Sequence, residues 1–223
     1  MKSLSILIPI YNEEESLQAL FDELKFSFEN NQSIEIIFIN DGSSDMSQKV
    51  IENEIANHST WKLINLYRNY GKSVALQSGI DIASNELIAT LDGDLQDDPK
   101  ELISLVRELN EDDVIVGWKK DRLDPLEKKI ASKIFNFFIK LFSGLKIKDS
   151  NSGIKVLKKE VAKSLNLYGG RHRYIPLLAH QKGFNVKEIP VNHRERKFGK
   201  SKYGVERYKH CLLYTSDAAD DRI

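Results

Sequence analysis

The sequence predicts an α/β protein whose core is a mostly parallel sheet flanked by helices. In the first half of the 223-residue chain, short apolar runs of strand length alternate with longer segments in which apolar residues recur at helical spacing. Three of the apolar runs end abruptly in polar clusters, as strands do at the ligand-binding edge of an open α/β sheet. A hydrophobic content of 41% is enough for one substantial core, and no linker divides the chain.

Five strands are expected in the first half, each a short run rich in apolar and β-branched residues. They are Leu4–Ile10, Ile34–Ile39, Leu63–Tyr67, Leu87–Leu91 and Asp113–Trp118. Because helical segments separate them, the connections are crossovers, and crossovers predict parallel pairing.

Four helices are expected between these strands. The first, from Glu14 to Asn30, has apolar residues at helical spacing and begins with acidic residues, which the helix dipole favours at that end. Asp45 is expected to cap the second helix. Gly71–Ile82 and Pro99–Leu109 are expected to form the third and fourth.

The second half is locally basic, although 33 basic residues balance 33 acidic ones over the whole chain. Between Leu126 and Leu145 the lysines fall on one side of a helical projection and leucine, isoleucine and phenylalanine on the other. The pattern predicts a basic amphipathic helix. Two interpretations stay open: the helix packs on the sheet, or it lies on an anionic membrane surface.

The most informative segment is LIATLDGDLQDDP, residues 87–99. Its apolar strand stops at Asp92, and one glycine separates that carboxylate from Asp94. Two carboxylates at a strand end repel each other unless a cation or a proton lies between them. Mg²⁺ or Mn²⁺ held by these oxygens and by substrate phosphates fits the pattern. The alternative is an ordinary turn, since Asp and Gly are turn residues and a helix start follows.

Two earlier strands also end in polar clusters, which favours the binding-site interpretation over the turn. The first strand is followed by YNE, residues 11–13, and the second by NDGSSD, residues 40–45. Strand ends of a parallel sheet meet at one edge, so these clusters are expected to converge on one crevice. The implied substrate is a nucleoside diphosphate.

Missing motifs disfavour an NAD-dependent oxidoreductase and a P-loop enzyme. Neither the GxGxxG dinucleotide fingerprint nor the GxxxxGK[ST] phosphate loop is present. The five histidines are too scattered for a zinc site, and one short basic patch does not predict nucleic-acid binding. No apolar stretch approaches the roughly 20 residues that cross a bilayer.

The last residues are expected to be non-native. Cys211–Asp220, CLLYTSDAAD, resembles a sequencing adaptor translated in frame, so residues 211–223 are treated as a tail. Without this tail the chain has no cysteine, which excludes disulfides and thiolate chemistry. The expected organisation is a single catalytic domain over residues 1–210, with a nucleotide-sugar half (1–118) and an acceptor half (119–210).

Taken together, the motifs resemble family 2 glycosyltransferases with the GT-A fold. The front half contributes SILIPIYNEEESL, FINDGSSD, RNYGKSVALQSG and LDGDLQDDP. The back half, with NSGIKVL and GGRHRYIPLLAHQKGFNVKEIPVNHRERKFGKSKYG, is similar to the branch that glycosylates dolichyl or undecaprenyl phosphate. The resemblance covers about residues 3–208.

The resemblance implies a donor site at the strand ends. Asp92 and Asp94 would bind the metal, with Gln96 as an auxiliary ligand, and Asp41 would contact the base or ribose. The residues implied to bind the nucleotide sugar are Pro9, Tyr11, Asn12, Glu13, Asp41, Asn69, Gly71, Lys72, Asp92 and Gln96.

The acceptor phosphate needs a second set of binding residues. The candidates are five cations and one hydroxyl: Lys119, Lys128, Ser132, Arg194, Arg196 and Lys202. The alternative for each charged member is a solvated surface charge. Lys128 and Ser132 are counted with Asp94 and Asp149 as the catalytic residues.

Two further residues keep alternative interpretations. Asp149 lies in DSNSG, where relatives carry an aspartate proposed to orient or activate the acceptor, and the alternative is a solvated turn. His172, between two arginines, is expected either to face the acceptor phosphate or to lie in a surface loop.

The expected function is metal-dependent, inverting transfer of a sugar from a nucleoside diphosphate, UDP- or GDP-linked, to a polyprenyl phosphate at the cytoplasmic face of the cell membrane. The resemblance also implies C-terminal membrane helices beyond this sequence. Two alternatives stay open: a family 2 enzyme that extends a cell-surface polysaccharide, and a non-catalytic sugar-nucleotide-binding subunit. The expected partners are the donor, the lipid and the membrane surface; whether the chain forms a homo-oligomer stays open.

Overall fold

The computed structural model describes residues 2–28, 31–119, 144–145 and 147–195. Within these residues seven strands form one sheet. The strands are β1 (Leu4–Ile10), β2 (Ile34–Asn40), β3 (Trp61–Asn65), β4 (Leu87–Thr90), β5 (Val114–Lys119), β6 (Lys155–Lys158) and β7 (Val186–Val191). Their order in the sheet is β3-β2-β1-β4-β6-β5-β7.

Helices cover both faces of this sheet. They are α1 (Glu14–Phe28), α2 (Ser47–Ile55), α3 (Lys72–Ile82), α4 (Glu101–Glu108), α5 (Lys159–Ser164), a 3₁₀ helix (Arg171–Tyr174) and α6 (Ile175–Gln181). Helices α1, α2 and α4 pack on one face, and α3, α5 and α6 on the other, each with its own apolar core. The result is the three-layer arrangement that the alternating pattern predicts.

One strand runs against the others. The pairs β1–β2, β1–β4, β2–β3 and β5–β7 are parallel, whereas β6 is antiparallel to both β4 and β5. Six strands therefore end at the same edge of the sheet, and β6 begins there. This edge brings the segments after β1, β2, β4 and β5 close to the segment before β6, and we refer to it as the carboxyl edge.

The prediction of a mostly parallel α/β sheet is confirmed, with small shifts at some elements. The third strand occupies Trp61–Asn65 instead of Leu63–Tyr67, because its ladder with β2 pairs Ile36 with Trp61 and Asn40 with Asn65. Trp61 also packs against the rings of Phe21 and Phe38, whereas Tyr67 is 96% exposed in the loop that follows.

Asp45 has a broader role than the predicted helix cap. Helix α2 begins at Ser47, and Met46 occupies the N-cap position. The Asp45 carboxylate accepts the backbone N–H of Ser47 at 3.0 Å and that of Glu14 at 3.2 Å. It therefore links the first turns of two helices at the carboxyl edge.

Of the predicted basic amphipathic helix over 126–145, residues 126–143 lie outside the described residues. The strands and helices between residues 155 and 191 had no counterpart among the predicted elements. In the part of the chain that the structure describes, no helix combines the length and the apolar character required to span a bilayer.

A buried carboxylate joins strands and loops at the opposite edge of the sheet. Glu35, 6% exposed, accepts hydrogen bonds from Ser5 Oγ (2.5 Å), Lys62 Nζ (2.5 Å) and the backbone and hydroxyl of Ser84 (3.0 and 2.6 Å). Burial by itself raises the pKa of this carboxyl, but the hydrogen bonds outweigh burial and lower the pKa to about 2.

Glu35 therefore stabilises the fold in its ionised form. Because its pKa falls on folding from 4.5 to about 2, its contribution is complete above pH 4.5 and is lost as the pH falls towards 2. We expect Glu35→Gln to lower the free energy of unfolding by roughly 3 kcal/mol at pH 7. Urea denaturation at pH 7 and pH 3 measures this, with Glu86→Gln as an exposed control. If Glu35→Gln lowered the free energy of unfolding by the same amount at pH 7 and at pH 3, the stabilising role of the ionised Glu35 would be contradicted.

Candidate functional site

A cleft of about 310 Å³ opens at the carboxyl edge of the sheet. It lies over the ends of β1, β2 and β4. Its lining residues are Pro9, Ile10, Tyr11, Glu13, Asp41, Asn69, Gly71, Lys72, Asp92, Gly93 and Asp94. The polar clusters that follow the three strands therefore share one cavity.

The turn after β4 brings both acidic side chains into this cleft. Asp92 follows the strand, and Asp94 is 9% exposed with its Oδ1 accepting the N–H of Gln96 at 3.2 Å. Between them and Gln96, Leu95 adopts a left-handed backbone conformation (φ 62°) while its side chain is buried. The buried Leu95 side chain thus anchors the turn in the core, and Asp92 and Asp94 line the cavity.

Lys72, at the start of α3, forms an ion pair with Asp92 across the cleft, bonding to Oδ1. Burial by itself raises the pKa of the Asp92 carboxyl. The nearby ammonium groups of Lys72, Lys119 and Lys155 outweigh burial and lower the pKa to about 2. Asp92 is therefore ionised at neutral pH.

Asp41 fixes the loop on the other wall. Its buried carboxylate accepts the backbone N–H groups of Tyr70 and Gly71 at 2.8 and 2.9 Å. Burial raises the pKa of this carboxyl, and the two N–H groups oppose the rise. Gly42 makes the contact possible: a Cβ there would lie 2.3 Å from the carbonyl carbon of Arg68. Asp41 thus positions the segment that leads into Lys72.

Two residues expected at the donor are not among those that line the cleft. Asn12, left-handed at φ 51°, uses its Oδ1 to accept the N–H of Ser44 at 2.7 Å, which joins the loops after β1 and β2. The Gln96 amide donates to the carbonyl of Arg194 at 3.5 Å. The Asn12 side chain thus joins two loops, and the Gln96 amide nitrogen contacts the segment after β7; the role of Gln96 as an auxiliary metal ligand stays a prediction.

The donor atoms at the cleft suit a hard divalent cation. Asp92 and Asp94 supply carboxylate oxygens, the ligands that Mg²⁺ and Mn²⁺ prefer. Among the described residues there is no group of three or more His, Cys, Asp or Glu side chains that could hold a metal. Two carboxylates fit a site in which substrate phosphate oxygens complete the coordination, as is usual for Mg²⁺.

Beside the cleft, a buried ion pair lies at the end of β5. Lys119 Nζ lies 2.8 Å from Asp97 Oδ1, and the two side chains are 10% and 1% exposed. Burial by itself lowers the pKa of Lys119, but Asp97, Asp92 and Asp149 outweigh it and raise the pKa. Lys119, expected at the acceptor phosphate, thus lies close to the metal-binding candidates with its charge partly neutralised.

The segment before β6 packs directly onto the acidic turn. A Cβ on Gly153 would lie 2.7 Å from Asp92 Oδ2 and 2.8 Å from Asp97 Oδ2. Thr90 Oγ1 donates to the carbonyl of Gly153 at 2.7 Å. Asp149, in the same segment, is 1% exposed, and its N–H donates to Glu188 Oε1 at 2.7 Å. Asp149 is therefore a buried residue of the site region, which excludes the solvated turn.

Lys155 is a site residue that the sequence analysis missed. It is 4% exposed, and its Nζ donates to the carbonyl of Ser152. Burial, with repulsion from Lys72, lowers its pKa to about 8 against the attraction of Asp92 and Asp149. The one available signal was a lysine inside an apolar strand run, IKVL.

His172 is a buried residue of the 3₁₀ helix and does not lie in a surface loop. It is 8% exposed, its Nδ1 lies 2.8 Å from Ser73 Oγ, and its N–H donates to the same oxygen at 3.0 Å. Burial, with repulsion from Lys72 and Arg173, lowers the pKa of the imidazole well below its usual value. The neutral ring ties the 3₁₀ helix to the start of α3.

Arg194 is engaged elsewhere. Its guanidinium bonds to Glu23 Oε1 at 2.6 Å and to Asp98 Oδ2 at 2.5 Å, which joins α1 to the segment after β7. Two carboxylates neutralise its charge, so the arrangement does not support a role at the acceptor phosphate. Four other predicted site residues lie outside the described residues: Lys128, Ser132, Arg196 and Lys202.

Comparison with known proteins agrees with this architecture. A family model described as glycosyl transferase family 2 matches residues 5–165. The chain is 36% identical over 217 residues to a dodecaprenyl-phosphate galacturonate synthase of Rhizobium johnstonii, covering 94% of this chain and 64% of that protein. It is 36% identical over 212 residues to an undecaprenyl-phosphate 4-deoxy-4-formamido-L-arabinose transferase of Yersinia pestis, covering 93% and 64%.

Among solved structures, a mannosyltransferase of Pyrobaculum calidifontis in complex with GDP-Man and Mn²⁺ matches with a TM-score of 0.69. The sequence identity is 14%, and the match covers 95% of this chain and 61% of that one. The fold is therefore the GT-A fold of glycosyltransferases. The chain spans 64% of the length of the curated relatives named above.

Proposed function

Since the chain belongs to glycosyl transferase family 2, we propose that it transfers one sugar from a nucleoside-diphosphate sugar to a polyprenyl phosphate. The single observation that carries the proposal is the placement of Asp92, Asp94 and Lys72 in one cleft at the ends of parallel strands. The two curated relatives, whose names describe polyprenyl-phosphate sugar transferases, support the acceptor class.

The donor lies in the cleft with its diphosphate at the acidic turn. Asp92 and Asp94 would hold Mg²⁺ or Mn²⁺, and the cation would act as a Lewis acid that neutralises the charge developing on the nucleoside diphosphate. The mannosyltransferase complex with Mn²⁺ supports the choice of a divalent cation. Pro9, Tyr11 and Glu13 form the wall for the nucleoside, while Asp41 keeps the opposite loop in place.

The acceptor supplies its own nucleophile. A lipid phosphate is ionised near neutral pH, so its oxygen can attack the anomeric carbon without a strong general base. The protein has to position the phosphate and screen its charge. Lys119 lies close enough to Asp92 and Asp149 for their charges to interact. Lys119 and Asp149, on the β5 and β6 side, form the acceptor set with Lys128, Ser132, Arg196 and Lys202. In-line attack inverts the anomeric configuration.

The acceptor half lies at the cytoplasmic face of the membrane in this proposal. The basic amphipathic segment over residues 126–145 supports it, because lysines beside apolar residues favour an anionic lipid surface. A lipid phosphate presented at that surface would then meet the β5 and β6 side of the cleft.

The test is transfer of label from UDP- and GDP-linked sugars in membranes of cells that express the chain. We expect label in a product that organic solvent extracts, formed only with a divalent cation and increased by added undecaprenyl phosphate. Label confined to polymer would instead favour the enzyme that extends a surface polysaccharide. Binding of the nucleotide with no transfer at all would favour a non-catalytic binding subunit.

A further inference from the structure

Both oxygens of the Asp92 carboxylate have close neighbours in the fold, while 30% of the side chain is exposed. Its Oδ1 accepts a hydrogen bond from Lys72 Nζ. Its Oδ2 faces the backbone of Gly153, since a Cβ built there would lie only 2.7 Å from that oxygen. The side facing Gly153 belongs to a packed backbone segment, whereas the side facing Lys72 is occupied by a flexible side chain.

We propose that Lys72 is a competing cation that occupies the metal-facing oxygen of Asp92 and leaves it only when a diphosphate enters the cleft. This inference rests on the proposed function, because it concerns the metal that function requires. It adds a dependence between the two ligands: the divalent cation binds weakly alone and more tightly when the nucleotide is bound.

Electrostatics favour replacement of Lys72 by the metal at Asp92 only when a phosphate is present. An ammonium and a divalent cation on the same carboxylate repel each other strongly at short range. Lys72 must therefore move away from Asp92 when the metal binds, and its charge needs another anion. Lys72 lines the same cleft as Asp94, so a diphosphate placed there lies within reach of its side chain.

The same reasoning predicts reciprocal coupling. If the nucleotide draws Lys72 away from Asp92, the nucleotide raises the affinity for the metal, and the metal raises the affinity for the nucleotide by the same factor. Loss of the lysine should then strengthen metal binding on its own and weaken the coupling. Tighter metal binding together with weaker coupling distinguishes a competing cation from a lysine that only stabilises the fold, because loss of a purely stabilising lysine would not tighten metal binding.

The experiment is a titration of the purified chain with Mn²⁺, followed by electron paramagnetic resonance, without nucleotide and with UDP or GDP. We expect Lys72→Met to bind Mn²⁺ about tenfold more tightly than the parent chain when nucleotide is absent. With UDP or GDP present, the parent chain should gain affinity for Mn²⁺ and the variant should gain much less. Lys72→Gln should behave in the same way, which guards against a folding defect in one variant.

Lys158→Met is the matched control. Lys158 pairs with Asp113 at 2.7 Å, and these side chains are 30% and 17% exposed, against 17% and 30% for Lys72 and Asp92. Its Mn²⁺ affinity should equal that of the parent chain. Unchanged or weaker Mn²⁺ binding by both Lys72 variants would overturn the competing role of Lys72 and leave the proposed metal site standing. Absence of Mn²⁺ binding by the parent chain and by both Lys72 variants, with or without nucleotide, would overturn the proposed metal site as well.

Discussion

Replacing Asp94 by asparagine should reduce transfer of sugar to the lipid by about 100-fold or more. Asparagine keeps the size of the side chain and an oxygen that can accept the N–H of Gln96, so the turn is preserved. What is lost is one of the two negative charges that hold the cation. The measurement is the initial rate of formation of extractable, labelled lipid at saturating Mn²⁺.

Asp81→Asn is the control for this variant, because Asp81 is an exposed residue of α3 whose Oδ1 accepts a hydrogen bond from Gln77. It should retain the rate of the parent chain. If the Asp94 variant formed lipid-linked product at an undiminished rate and with the same dependence on metal, Asp94 would not be a metal ligand. Other residues of the cleft would then have to bind the metal.

Gly153→Ala should damage both the fold and the site. The new methyl group would lie 2.7 Å from Asp92 Oδ2 and 2.8 Å from Asp97 Oδ2, closer than real Cβ contacts. Asp97 cannot retreat easily, because it is buried and its other oxygen pairs with Lys119 at 2.8 Å. We expect a loss of about 1–3 kcal/mol in the free energy of unfolding. Transfer of sugar to the lipid should fall by about 100-fold, because the new methyl group displaces the Asp92 carboxylate and a displaced carboxylate misplaces the cation.

Gly170→Ala provides the comparison for this substitution. A Cβ at Gly170 would approach only the end of the Arg173 side chain, at 3.2 Å, and its backbone φ of −98° is accessible to any residue. Its stability and activity should change little. Equal behaviour of the two alanine variants in urea denaturation and in the transfer assay would show that the segment before β6 does not support the acidic turn.

The first half of the fold could be predicted because its information is local. Each strand from β1 to β4 is a short apolar run, each intervening helix shows its own spacing, and the successive strands β1, β2 and β3 lie side by side in the sheet. The start of β3 could not be located in the same way. Its register depends on hydrogen bonds to β2 and on the packing of Trp61 against Phe38, neither of which appears in the local pattern.

The acidic half of the cleft was visible in the sequence for the same reason. Asp41, Asp92 and Asp94 directly follow strands, and strand ends of a parallel sheet converge. The other half depends on a long-range event, the insertion of β6 between β4 and β5 in the opposite direction. Only that insertion brings Lys155 and Gly153 beside residues about 60 positions earlier in the chain.

The same explanation covers side chains whose contacts the sequence does not predict. Arg194 and Gln96 carry the residue types expected at a phosphate or a metal, but tertiary contacts direct the Arg194 guanidinium towards Glu23 and Asp98. His172 lies between two arginines in the sequence and yet faces Ser73 in the fold. Residue type and sequence neighbours do not reveal which way a side chain points when a partner some 100 residues away decides it.

The most direct test of the account is anomalous diffraction from crystals of the chain grown with Mn²⁺ and either UDP or GDP. We expect one manganese peak bonded to carboxylate oxygens of Asp92 and Asp94 and to oxygens of the diphosphate, with Lys72 turned from Asp92 to the phosphates. A nucleotide bound elsewhere, or a diphosphate in the cleft with manganese bonded to neither aspartate, would contradict the central claim.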